Sequence, residues 1–299
     1  MQKIVECVPN FSEGRNLDVI KKIYNAGQSV TGYGLRVKIF ELEYNKDHNR
    51  MLFTIVGEPE EVLNSVFESI KKATELIDMT KHTGEHPRIG ATDVVPFVPV
   101  SGISMEECVA LSNKLAKKVA DELKIPVFMY EASAKREEYR NLADIRKGEW
   151  EGLSKEIEKK RKPDYGPNKM HPTAGAMVVG ARKYLIAYNV NLDTPDVNIA
   201  KEVAKKIREK DGGLPGVKAL GFLVDGKAQV SMNLVDYEKT NFDDAYRAIK
   251  KEIKNLKLKI KNSEIYGMIP LDALVAAVKS TFKADGFKAD QVLETKIYE

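Results

Sequence analysis

Between His82 and Asp93 the run HTGEHPRIGATD gathers two histidines, a glutamate, an arginine and an aspartate. His82, Glu85 and His86 fit H-x-x-E-H, a pattern of zinc peptidases. That chemistry needs both imidazoles on one face of a helix. Here Gly84 lies between them and Pro87 follows directly. Glycine and proline cost roughly 1 and 3 kcal/mol in a helix interior, and the residue before a proline is pushed out of the α region. The segment is therefore expected to be a loop, no third ligand stands out, and no metal is expected. As a loop it offers different chemistry. His86 has Glu85, Arg88 and Asp93 around it, so a carboxylate can orient the ring and a guanidinium can hold an anion. That is the layout of a general acid–base beside an anion clamp.

The remaining histidines, His48, His82 and His171, also fall in expected loops or turns, where a rigid scaffold tends to carry its chemistry. The rest of the composition narrows the class. A balance of 48 Lys+Arg against 44 Asp+Glu over 299 residues gives a net charge of +4, too even for a nucleic-acid partner. No stretch approaches the roughly 20 apolar residues of a membrane span, and the N-terminus has no signal-peptide core. The two cysteines, Cys7 and Cys108, form no disulfide framework and read as small core residues of a reducing, cytoplasmic protein.

The elements that must position these residues follow a pattern that occurs twice. KIVECVP is a strand; Leu17, Ile20, Ile23 and Tyr24 recur at helical spacing. Leu35–Tyr44 and Arg50–Gly57 are two strands around the turn-like NKDHN. Val62, Val66, Ile70, Ala73 and Ile77 mark a helix over 59–79, and TDVVPFVPV (92–100) is an extended element broken by prolines. A capping box at Ser104 and Glu107 opens a further helix, and KIPVFMYE is another strand. Lys135–Lys162 is then highly charged and leads into PDYGPNKMHPTAG, rich in Pro and Gly, where the inter-domain connection is expected. After it the order restarts. YLIAYNVN is a strand, Thr194-Pro195 an N-cap followed by a first-turn proline, ALGFLVDG and AQVSMNLVD two strands, 241–254 a helix, SEIYGMIP a strand and LDALVAAVKSTF a helix. The fold class is α+β, two ferredoxin-like βαββαβ subdomains, spanning 1–178 and 179–299.

Four blocks in order, VECVPNFSEGRN, DHNR, DMTKHTGEHPRIGATDVVPFVPV and DYGPNKMHPTAGAMVVGARKYLIAYNVNL, together resemble the glutamate formimidoyltransferases, strongly from Val5 to about Leu192 and weakly beyond. The resemblance implies transfer of a formimino group from N-formimino-L-glutamate to N5 of tetrahydrofolate, a step of histidine degradation and one-carbon metabolism. It implies tetrahydrofolate as co-substrate, two subdomains enclosing a substrate cleft, small-molecule partners and a homodimer. The family's catalytic histidine falls on His86, with His82 in support. Its folate-contacting loop falls on Gly166, Pro167, Asn168, Lys169, Met170, His171, Pro172, Thr173, Ala174 and Gly175. The chain departs from the family at Glu41-Leu-Glu43, where aspartates are usual, and at Lys169 and His171, where small or apolar residues are usual.

Formimino transfer requires a proton to leave N5 and another to reach the departing glutamate nitrogen. One imidazole near its ordinary pKa of about 6.5 serves both, and His86 is the expected shuttle. Arg50 and Arg88 are expected to clamp the donor's carboxylates. Asn10, Asn49 and Glu43 are expected at the pterin or formimino group, although either asparagine serves equally as an Asx turn and Asp93 equally as a local cap. KKRK at 159–162 with Lys169 is expected along a polyglutamate tail. Two other readings stay open: action on 5-formyltetrahydrofolate, and a folate-binding protein without catalysis, which has no need of His86 beside an anion clamp.

Overall fold

The computed structural model describes residues 2–29 and 37–297. The chain divides into two compact units, Met1–Arg182 and Lys183–Glu299. The first opens with β1 (Ile4–Cys7) and β2 (Asn10–Phe11), then α1 (Leu17–Gln28), β3 (Val37–Asn45), β4 (Arg50–Gly57), α2 (Pro59–Leu76) and β5 (Thr92–Ser101). Leu35 and Arg36 of the expected second strand lie outside the described residues. β1 and β2 each pair with β4 on one side and β5 on the other. They are two pieces of one strand position, interrupted at Val8-Pro9. The expected βαββαβ order is present.

β5 runs unbroken, against expectation. Its prolines survive because a strand proline removes only one ladder donor, and bulges absorb the loss. Pro99 sits where the pairing with β1 shifts by a residue.

The unit then continues with α3 (Met105–Leu123), opened by the Ser104–Glu107 capping box, β6 (Val127–Glu131), two short helices α4 (Leu142–Ile145) and α5 (Glu149–Glu156), and β7 (Met177–Ala181). The charged segment and the run PDYGPNKMHPTAG after it, where the inter-domain connection is expected, both lie within this first unit, and residue 178, the expected last residue of the first subdomain, lies inside β7. β7 inserts between β5 and β6, parallel to both. Alternation along these strands explains why charge misled the reading. Val127, Met129, Met177 and Val179 face a core shared with α1–α3, where Phe11 stacks on Phe53 at 5.4 Å. Phe128, Tyr130, Val94 and Val178 face the other way and are covered by Tyr139, Ile145, Leu153 and Ile157 from the charged segment. Both faces being covered, the strands read as continuous apolar runs. Cys7 and Cys108 are both free and buried in the first core.

The second unit has β8 (Ile186–Leu192), α6 (Val197–Ile207), β9 (Val217–Val224), β10 (Lys227–Leu234), α7 (Phe242–Lys254), β11 (Ile260–Tyr266) and α8 (Leu271–Phe282). The βαββαβ order is again present, in an antiparallel sheet ordered β11-β8-β10-β9. Asp196 caps α6, not Thr194, whose hydroxyl accepts from the Asp196 amide at 3.2 Å; Pro195 precedes the cap.

Candidate active site

The site grows from a defect in β5. Asn10 pairs with Val94 and Phe11 with Thr92, so the register shifts and Asp93 is left as the extra residue. A bulge re-aims its side chain, and Asp93 is fully buried. Its Oδ1 accepts from the Ile89 amide at 2.9 Å. Its Oδ2 accepts from Arg50 Nη1 at 2.8 Å and from Arg146 Nη2. Burial raises the Asp93 carboxyl, but Arg146 and Arg50 outweigh it and hold the pKa at about 2. Arg50, the first residue of β4, also donates from Nε to Asn10 Oδ1 at 3.0 Å, while Asn10 Nδ2 donates to the Val8 carbonyl. Burial and the neighbouring Arg146 bring Arg50 down to about 10 despite Asp93. Arg146 is 14% exposed, and its buried Nε finds no hydrogen-bond partner.

His86 stands half-buried beside this group. Its Nδ1 lies 2.8 Å from the Pro87 carbonyl, which can only accept, so Nδ1 carries the proton and Nε2 keeps its lone pair. Burial, then Arg50 and Arg146, pull its pKa to about 4. This corrects the expected value near 6.5: the ring is neutral at neutral pH. The His48 ring stands edge-on at 6.0 Å.

A second cluster lies a few residues away. Arg88, 5% exposed, donates from Nε to His82 Nδ1 at 3.2 Å, from Nη1 to Glu149 at 2.7 Å and Glu151 at 2.9 Å, and from Nη2 to Glu151 at 2.6 Å and the His82 carbonyl at 3.4 Å. All five guanidinium hydrogens are thereby used, leaving none for a substrate carboxylate. His82 is equally committed. Nδ1 accepts from Arg88, so Nε2 carries the proton and donates to the Asn49 carbonyl at 3.1 Å. Burial lowers its pKa. Asn49, buried with φ +48, accepts at Oδ1 from Gly14 and donates from Nδ2 to the Thr83 carbonyl. Gly84 lets this loop touch the β3–β4 turn: a Cβ there would meet the His48 carbonyl at 2.4 Å.

The 166–175 loop docks on the same segment through its backbone. Met79 donates to Thr173, Ala91 to Ala174, and Ala176 to Ile89, at 2.8–3.0 Å. His171 Nδ1 accepts from the Ala174 amide at 3.0 Å. Gly175 has φ +75, and a Cβ would come within 2.5 Å of the Ile89 carbonyl, so the docking needs glycine here. Gly166, Pro167, Lys169, Met170, His171 and Pro172 wall a cavity of about 580 Å³ with Ala120 and Lys124. Asn168 and Thr173 are exposed.

Thus Asn10, Arg50, His86 and Asp93 are brought together, and His82, Asn49 and Arg88 form a supporting group. Glu43 is exposed on β3, past a bulge after Phe40; burial and then Glu41 raise its pKa, and among the described residues it joins neither cluster by a hydrogen bond or ion pair. Arg161 of KKRK turns inward, donating to the carbonyls of Asp144, Ile145 and Lys147. Sequence reasoning missed Arg146, Glu149 and Glu151, hidden in a segment set aside for its charge. The signal was present: Ile145, Leu153 and Ile157 are apolar residues in a charged run, and they fix it on the sheet.

The chain matches the formiminotransferase domain, N-terminal subdomain, over residues 4–182 and the formiminotransferase domain over 187–294. It is 44% identical to glutamate formimidoyltransferase of Streptococcus pyogenes, over 99% of each chain. It is also 44% identical to glutamate formimidoyltransferase of Thermoplasma acidophilum, over 98% of this chain and 97% of that one. To formimidoyltransferase-cyclodeaminase of Mus musculus it is 40% identical, over 93% of this chain and 52% of that longer one. With both subdomains matched in order over nearly the whole sequence, the chain belongs to the formiminotransferase family.

Proposed function

We propose that the chain is a glutamate formimidoyltransferase, moving the formimino group of N-formimino-L-glutamate to N5 of tetrahydrofolate and releasing L-glutamate. The observation that carries this reading is full-length similarity to proteins of that name, and the site geometry supports it. Tetrahydrofolate supplies the nucleophilic amine. His86 offers Nε2 to the proton that amine loses. Its conjugate acid then gives the proton to the departing glutamate nitrogen. Pro87 fixes the tautomer, and Asp93 keeps Arg50 and Arg146 beside the ring. The residues present suit the substrates, since the cluster holds two cations to one carboxylate and the leaving group is an anion.

Residues 166–175 are the part of the chain we assign to folate, supported by the cavity they wall and by their docking on the His86 segment. Arg50 contacts the donor, with Asn10 and Glu43 on neighbouring strands as polar partners of the pterin. Asn49, His82 and Arg88 act by holding the His86 loop. Free, buried Cys7 and Cys108 support a cytoplasmic setting; among the described residues no helix is long and apolar enough to cross a membrane. The homodimer is part of the same reading, and light scattering after gel filtration tests it. The direct test of activity mixes protein, tetrahydrofolate and N-formimino-L-glutamate, then quenches with acid to convert 5-formiminotetrahydrofolate to absorbing methenyltetrahydrofolate. Signal that needs both substrates is expected; its absence with active folate binding would overturn the assignment.

A further inference from the structure

The Arg50–Asp93–Arg146 group does not balance. Two guanidinium groups share one carboxylate oxygen of Asp93, leaving one excess positive charge largely out of water. An uncompensated buried charge is strongly destabilising. Donors are left over as well. Arg50 commits Nε and Nη1, Arg146 commits Nη2, and the buried Arg146 Nε has no partner. Among the described residues no protein acceptor is assigned to Arg50 Nη2. The neighbouring Arg88, by contrast, is fully saturated by His82, Glu149 and Glu151. What is missing beside His86 is one negative charge with two acceptor oxygens, the description of a carboxylate bound by guanidinium forks.

We infer that Arg146, together with Arg50, is the specificity-determining receptor for one carboxylate of the donor, and that Arg88 is not. This rests on the proposed transferase reading. Arg146 is held for the task by its local structure. It caps α4 in αR conformation, and Ile145 beside it is fully buried. Arg161 ties down the carbonyls on either side, while Gly148 at φ +78 reverses the chain immediately after. The bound carboxylate has a further effect. The charged groups facing His86 are Arg50 from β4, Arg146 after α4 and Asp93 from β5, with the His48 ring alongside. An anion on the two arginines cancels the field that holds the imidazole neutral. Donor binding therefore raises the proton affinity of the base at the moment it is needed, and departure of glutamate lowers it again.

The test uses glutarate, a dicarboxylate without the reacting group, and the full chain. Calorimetry should show glutarate binding to the wild type and at least about tenfold weaker binding to Arg146→Gln, the range for losing one partner of a close charge pair. Arg88→Gln should keep wild-type glutarate affinity. In kinetics Arg146→Gln should raise KM for N-formimino-L-glutamate by a similar factor while KM for tetrahydrofolate stays within about twofold. Unchanged glutarate affinity and donor KM in Arg146→Gln would overturn the inference, as would a loss confined to Arg88→Gln. Should Arg146→Gln not fold, NMR titration of the wild-type His86 ring replaces it. Its pKa should rise on saturating glutarate, and no rise would overturn the inference. Glutarate binding needs no turnover, so a wild type that binds it through Arg146 yet transfers nothing would sink the transferase reading and leave the receptor standing.

Discussion

Two arginine–carboxylate–histidine clusters lie within a few residues of one another in the first unit, and they differ in their accounts. Around Arg88 every guanidinium hydrogen has an acceptor, His82 has both ring nitrogens bonded, and Asn49 uses both ends of its amide. Around Asp93 the count fails: two cations meet one anion, a buried Nε is orphaned, and His86 Nε2 has no bond in the described structure. Closed networks rigidify. Open ones in a folded protein ask what completes them. The residue types are alike in the two places, so type alone does not separate scaffold from site; the balance of donors, acceptors and charge does.

The contrast is most sharply tested by removing each histidine. His86→Ala should lose about 10²–10⁴ in kcat, the span of general acid–base catalysis, in the acid-quench assay. His82→Asn should mainly lower stability, and a loss of kcat equal to that of His86→Ala would erase the distinction between the clusters. Next in size is Asp93→Asn. It leaves two buried guanidinium groups without their anion, and urea unfolding should show about 3–5 kcal/mol of lost stability. Arg88→Met should cost less, about 2 kcal/mol, because Glu149 and Glu151 are 39% and 55% exposed at the side chain and find water. Its donor KM should not move.

The smallest effect is on pH. The unfolded His86 takes up a proton at about 6.5 and the folded one only at about 4. Between those values the unfolded chain binds more protons, so stability falls as pH drops from 6.5 toward 4. Asp93, depressed to about 2, contributes stability that is whole above the unfolded value near 3.9 and vanishes as pH falls through 2. His86→Asn should flatten the first window and leave the second. A kcat/KM profile whose acid limb sits at 6.5 in free enzyme would contradict the positive field around His86.

Much of this was legible in the letters. Period-two and helical spacing located the strands and helices of both βαββαβ units, and Gly84 with Pro87 excluded a helical zinc pattern. The charged segment 135–162 hides its pattern behind its composition. Its charges face solvent or the site, while a sparse set, Tyr139, Ile145, Leu153 and Ile157, packs on the sheet. Arg146 is hidden for the same reason, and Arg88 reads as a clamp because its partners Glu149 and Glu151 are distant in sequence. The lowered pKa of His86 arises from two arginines, one of them 60 residues along the chain; no local reading contains it.

The placement of the two cysteines has a practical consequence. Cys7 in β1 and Cys108 in α3 are both fully buried in the first unit's core, and burial pushes both thiols up, Cys108 to about 11. The second unit has none. A thiol reagent is therefore silent toward the native protein and reacts only when the first unit opens. The rate of labelling serves as a built-in clock for that unit's opening, and its slowing by glutarate or folate would report ligand capture without any assay of turnover.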